Sequence, residues 1–250
     1  MVLGLDSPHT SLHLTSPISL VSFLKKNNSV IFRFAAAGSP DWQDGLMVTG
    51  GGQEQEDGWT TEVYQGGSWK NGPDIPYPVK WHCQVLLDDT VYVIGGSRLE
   101  ENADGYQSQA STLKSKKGTD WVYSANLSEA RYDHACAVHK GMIFAIGGGG
   151  MGLWQNGNCC EGLYQNSVEI FDPSTESWTF GPELTKALSG AQAFNWGGYL
   201  WVFGGRTTTE YSNVVYRLEE SGWTVYRNID QQIDDFLSPP QIVTEDIVYC

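Results

Sequence analysis

Positive charge is scarce in this sequence: 15 Lys and Arg stand against 29 Asp and Glu, a formal net charge of −14 over 250 residues. Nucleic acid and anionic membrane surfaces are bound through a basic footprint, so neither is an expected partner. Long apolar runs are missing too. None reaches the roughly 18 residues that carry a helix across a bilayer, and no membrane insertion is expected. Residues 1–29 hold no basic stretch ahead of an apolar core. The apolar piece Pro17 to Leu24 is broken by serines and followed by Lys25-Lys26, which makes a poor secretory leader. Intracellular placement is favoured on this ground, with extracellular placement following if the N-terminus is incomplete.

Catalytic signatures are absent as well. There is no nucleophile motif, no glycine-rich phosphate loop after a strand and no metal-ligand set at a recognised spacing. The expectation is no catalytic residue, no metal and no small-molecule cofactor. A carboxylate-based hydrolase leaves no such spacing and stays open. Charged residues of all kinds make up only 18% of the chain, beside 29 Gly, 10 Trp and 12 Tyr. That balance belongs to a many-turned β protein rather than a helical one.

What the chain does hold is a repeat. Arg131 to Gly150, RYDHACAVHKGMIFAIGGGG, reads as two short strands joined by a turn at Lys140-Gly141, the second running into glycines. Both faces of the strands are mostly apolar or small, the pattern of strands covered on both sides. The same unit recurs as LMVTGG (46–51), VYVIGG (91–96), IFAIGG (143–148) and LWVFGG (200–205). The pairs Gly50-Gly51, Gly95-Gly96, Gly147-Gly148 and Gly204-Gly205 are followed in turn by Trp69, Trp121, Trp178 and Trp223. Successive first glycines are 45, 52 and 57 residues apart, a period that marks propeller-type repeats. The paired glycines suit a sharp turn or a close backbone approach. The tryptophans offer large apolar areas to pack between sheets.

With these registers the sequence resembles the Kelch-repeat family over about residues 44 to 230. The resemblance implies an all-β propeller of four-stranded blades. Repeats are expected at about 45–78, 79–130, 131–187 and 188–236, with a partial one at 237–250, inside a domain spanning 45–250; residues 1–44 are an unassigned segment with one strand between Val30 and Ala37. Ile247 to Cys250 matches Val91 to Ile94, so the last repeat is cut short. Six blades are usual in the family, and an incomplete or open propeller is expected.

The resemblance also implies candidate site residues. Kelch families often open the inner strand with Arg-x-x-His, whose arginine reaches the ligand-binding face; here Arg131 matches, while Val79 and Leu188 stand at the equivalent places. Arg98 and Arg206, just past glycine pairs, are candidates for the same face. The spacings from first glycine to Trp are 19, 26, 31 and 19 residues, so the insertions are loops at 97–108 and 149–165. Long loops on a rigid scaffold commonly carry recognition, and Trp154 and Tyr164 in the second loop have an interface composition. His134-x-Cys136-x-x-His139 has zinc-ligand residue types, but His134 and Cys136 share a strand face that His139 does not, and His82 repeats the register. A structural role is expected.

Cys83 and Cys136 read as small buried apolar side chains of inner strands, not bonded to each other. Cys159-Cys160 lies in the longer loop. Asn27-Asn28-Ser29 and Asn126-Leu127-Ser128 match the N-glycosylation acceptor pattern, which also arises by chance. Function is expected to be non-catalytic: a protein-interaction module binding a partner protein through the inter-strand loops of one face. The alternative is a secreted or cell-surface propeller that binds or hydrolyses glycans.

Overall fold

The computed structural model describes residues 45–50, 59–65, 68–99, 106–116, 119–150 and 164–229, with the backbone of three short strands nearer the N-terminus. Among the described residues there is no helix. Strands β1 (Lys25–Lys26) and β2 (Ser29–Val30) pair only with each other. Four four-stranded antiparallel sheets follow. The first joins β3 (Ala35–Ser39), β4 (Gly45–Thr49), β5 (Thr61–Gln65) and β6 (Ser68–Asn71). The second joins β7 (Cys83–Leu87), β8 (Thr90–Ile94), β11 (Thr112–Lys116) and β12 (Val122–Tyr123), and between its middle strands lies a separate hairpin of β9 (Ser97–Leu99) and β10 (Tyr106–Ser108). The third joins β13 (Ala135–His139), β14 (Met142–Ile146), β15 (Val168–Asp172) and β16 (Ser177–Phe180). The fourth joins β17 (Ser189–Trp196), β18 (Tyr199–Arg206), β19 (Val214–Glu219) and β20 (Gly222–Asn228).

One boundary differs from the sequence reading. The first sheet takes β3 from inside the segment set apart as 1–44, pairing Ala35 with Thr49 through Ser39 with Gly45. That strand, AAAGS, has no β-branched or aromatic residue to announce it. In the second sheet the inserted loop first folds back as β9 and β10, and the third strand then runs from Thr112.

The inner two strands of the second and third sheets are covered on both faces, and the alternation decides which neighbour each side chain meets. Ala135, Ala137, Phe144, Ile146 and Val168 pack with Ala191, Leu200, Val202 and Tyr216 of the fourth sheet. Cys136, Ile143, Ala145 and Phe171, one residue out of step, pack with Cys83, Val85, Tyr92 and Ile94 of the second. A slip of one residue exchanges the two faces.

The glycine pairs mark where one sheet touches the next. A Cβ on Gly95 (φ +59°) would lie 2.5 Å from the Arg131 carbonyl oxygen, and one on Gly147 (φ +63°) 2.6 Å from that of Leu188. The second glycines donate to those carbonyls, Gly96 N–H to Arg131 O at 2.8 Å and Gly148 N–H to Leu188 O at 2.7 Å. Positive φ and this close approach together admit only glycine without strain. Gly50, Gly204 and Gly205 share the positive φ; Gly51 lies outside the described residues.

The tryptophans are unequal. Trp178 is buried against Phe171 and donates from Nε1 to Ala125 O at 2.9 Å. Trp121, partly buried, makes the equivalent bond one sheet earlier, donating to Pro73 O at 3.0 Å. Trp223 is also buried. Trp69, in the first sheet, is 40% exposed, unlike the buried Trp178 and Trp223. For Trp121 and Trp178 the recipient is the connection that leaves the preceding four-stranded sheet.

One expectation is overturned. Cys83 and Cys136 are a disulfide. The alternation that buries both also aims them at each other. Both sit at inner-strand positions of adjacent sheets, with Cα atoms 6.1 Å apart, well inside bonding reach.

Candidate partner-binding face

In the second, third and fourth sheets the chain passes its glycine pair at the same end, the end where the inner strand begins. At this end the sheets are laced together by backbone. Asp133 N–H donates to Trp81 O at 2.8 Å, and Gly190 N–H donates to Asp133 O at 2.8 Å. Trp81, Asp133 and Gly190 occupy equivalent places, and all three have left-handed backbone, φ 55°, 54° and 72°. Ser189 Oγ adds a hydrogen bond to Asp133 Oδ2 at 3.0 Å. The result is a stiff platform from which side chains project.

Cations on this platform are held over aromatic rings. Lys80 Nζ sits 4.3 Å from the Trp81 ring centre and 3.3 Å from that of Tyr106. Trp81 in turn touches Tyr106 and Tyr132. The Arg98 guanidinium lies 4.9 Å from the Tyr77 ring, and that of Arg206 lies 5.5 Å from the Tyr164 ring. Such stacking holds a cation in place beside an apolar ring face. Short bridges set the backbone beneath them: Lys80 with Ser97, Gly149 with Tyr132 and Tyr164, and Arg206 with Tyr211.

Arg131 is elsewhere. Its side chain has no solvent exposure, so it lines no surface in this structure. Nη1 donates to Gly147 O at 2.8 Å and Ser167 O at 3.2 Å; Nη2 donates to Glu169 Oε1 at 3.0 Å and Ser167 Oγ at 3.2 Å. Glu169 is equally buried and accepts backbone N–H bonds from Ser128 and Glu129. Burial pulls the Arg131 pKa down, opposed by the Glu169 hydrogen bond and charge. The signal was present in the repeats: the equivalent residues Val79 and Leu188 are apolar, and both are buried.

Trp154 lies outside the described residues, as do Cys159 and Cys160. Lys80, Trp81, Tyr106 and Tyr132 were not singled out by the sequence. Lys80 and Trp81 adjoin the inner strand that was, but the partner ring Tyr106 enters only through the β9–β10 hairpin. Among the described residues no group of three or more His, Cys, Asp or Glu side chains is placed to hold a metal ion. His134 and His82 are buried instead, and His82 meets Thr49 Oγ1 through Nε2 at 2.8 Å.

Comparison with known proteins matches residues 130–185 to the Kelch motif. An F-box/kelch-repeat protein of Arabidopsis thaliana is 29% identical over 198 residues, covering 75% of this chain and 48% of the relative. Kelch-like protein 38 of Rattus norvegicus is 25% identical over 214 residues, covering 83% of this chain and 35% of the relative. The chain thus spans about half the length, or less, of these curated relatives. The solved structure of YjhT superposes with a TM-score of 0.67 at 18% identity, over 84% of this chain and 69% of that one. Motif, relatives and four-stranded sheets agree: the chain carries a Kelch motif, is similar to Kelch-repeat proteins and has the four-stranded blade architecture of a Kelch-type β-propeller.

Proposed function

We propose that the chain is a non-catalytic interaction module that binds a partner protein through the end of the blades where the glycine pairs emerge. The observation that supports this reading is the set Lys80, Arg98 and Arg206, each stacked on an aromatic ring at that end of its blade. In a chain with net charge −14, cations fixed on one platform favour a partner segment that brings carboxylates beside apolar groups. Aromatic and arginine side chains are also what interface centres are rich in.

The test is a binding measurement on the full chain with a reciprocally verified partner. Arg98→Ala with Arg206→Ala should weaken association about tenfold, a loss of about 1.4 kcal/mol, and leave the melting temperature unchanged. Substitutions at the opposite end, Asp89→Ala and Lys140→Ala in the inner-hairpin turns, should leave binding intact. Loss of binding from those turns, with none from the arginines, would place the partner on the wrong end for this proposal.

A further inference from the structure

Asn126, Leu127 and Ser128 lie on the connection from β12 to β13. Leu127 is buried in the same apolar cluster as Cys83 and Cys136, and its N–H donates to Ala110 O at 2.8 Å. The residues on either side, Asn126 and Ser128, are both exposed. The connections of the neighbouring blades repeat this arrangement. Ile75 and Leu184 are buried anchors whose N–H groups donate to Trp59 O at 2.8 Å and Asn166 O at 2.9 Å. Each is flanked by exposed residues, Asp74 with Pro76 and Glu183 with Thr185. The register therefore places Asn126 where the other blades put a solvated carboxylate. A fixed anchor behind and solvent in front leave room for a large substituent.

The second observation is independent. The Cys83–Cys136 disulfide joins inner strands of adjacent blades and is buried from solvent. Structural disulfides persist in oxidising compartments and are rare in the reducing cytosol. Those compartments are also where Asn-x-Ser is modified in eukaryotes.

We infer that Asn126 is an N-glycosylation acceptor and that the chain matures in an oxidising secretory compartment. The proposal stands independently of the partner-binding reading. A membrane-bound transferase of that compartment would supply the oligosaccharide as a lipid diphosphate. A bond forms between Asn126 Nδ2 and the sugar C1, the C1–O bond to the diphosphate breaks, and the amide proton departs with the lipid diphosphate. The cysteine thiols lose two protons and two electrons to the disulfide of a resident oxidase, which is reduced to a dithiol.

The experiment is peptide mapping of the full-length protein purified from its source without reduction. Cleavage after Lys117 and Arg131 isolates the peptide bearing Asn126. After release of N-glycans by an amidase in heavy-oxygen water, Asn126 should be read as Asp carrying the heavy label, and Cys83 and Cys136 should elute as one linked pair. In a secreting eukaryotic host, Asn126→Gln and Ser128→Ala should each remove one glycan, Ser128→Thr should keep it, and the melting temperature should be the same in all three. An unmodified Asn126 peptide beside alkylatable Cys83 and Cys136 in the native protein would overturn the proposal. So would an Asn126→Gln variant that loses no glycan on secretion.

Discussion

Arg131 and Glu169 form an ion pair of 3.0 Å with neither side chain exposed to solvent. The equivalent positions in adjacent blades are Val79 with Leu113 and Leu188 with Tyr216, each pair within a single apolar cluster. A buried salt bridge has thus taken the place of an apolar contact. Its Coulomb attraction and its multiple hydrogen bonds offset a large desolvation cost. Removing one partner leaves the other charged and buried. Arg131→Ala should destabilise the fold by about 3–5 kcal/mol, whereas Arg131→Val with Glu169→Leu, copying Val79 and Leu113, should come within about 1 kcal/mol of the parent or exceed it. Denaturant unfolding of the three proteins decides this. A double variant as unstable as the single one would show the charged pair to be required.

Stability should fall on acidification between about pH 6.5 and 4. Burial lowers the pKa of His82 to about 4, and that of His134 well below its ordinary 6.5, with Arg131 and His82 adding repulsion at His134. Both rings are neutral in the folded protein through this range and charged in the unfolded chain. The unfolded state therefore binds more protons, and stability is full above pH 6.5 and lost as pH drops. His82 alone accounts for about 3 kcal/mol by pH 4, at about 1.4 kcal/mol per unit. Unfolding midpoints from pH 7.5 to 4.5 test it, and His82→Gln should flatten the slope.

Reducing Cys83–Cys136 should cost about 4 kcal/mol in the chain-entropy account, given the 53-residue separation. Because the bond is buried, reductant should act slowly on the native protein and quickly in denaturant. Paired melts with and without prior reduction in denaturant measure the loss, and Cys83→Ala with Cys136→Ala should reproduce it. Equal melting temperatures throughout would show that the bond adds nothing.

The tryptophans should rank by blade. Trp178→Ala removes a buried ring and its hydrogen bond to Ala125 and should cost about 3–5 kcal/mol. Trp69→Ala, at a half-exposed ring, should cost about 1 kcal/mol. Thermal melts of the two variants suffice, and similar losses would remove the distinction drawn between the blades.

The sequence by itself determined the blades, because a strand covered on both faces and closed by two glycines is written in consecutive residues. Gly95-Gly96 and Gly147-Gly148 report a local need, positive φ beside another backbone, and that need recurs at each blade. Even the burial of Arg131 was legible through Val79 and Leu188, once the register is taken ahead of the charge. Tertiary structure decided what depends on pairs distant in sequence. Cys83 and Cys136 read as isolated thiols until adjacent inner strands bring their Cα atoms to 6.1 Å. Glu169 carries no mark that it will meet Arg131, since charge type says nothing of which strand lies opposite. Tyr106 joins Lys80 and Trp81 only because an insertion folds back as a hairpin. Local residue pattern fixes which way a side chain points from its own strand. Which neighbour it meets is set by how the sheets stack.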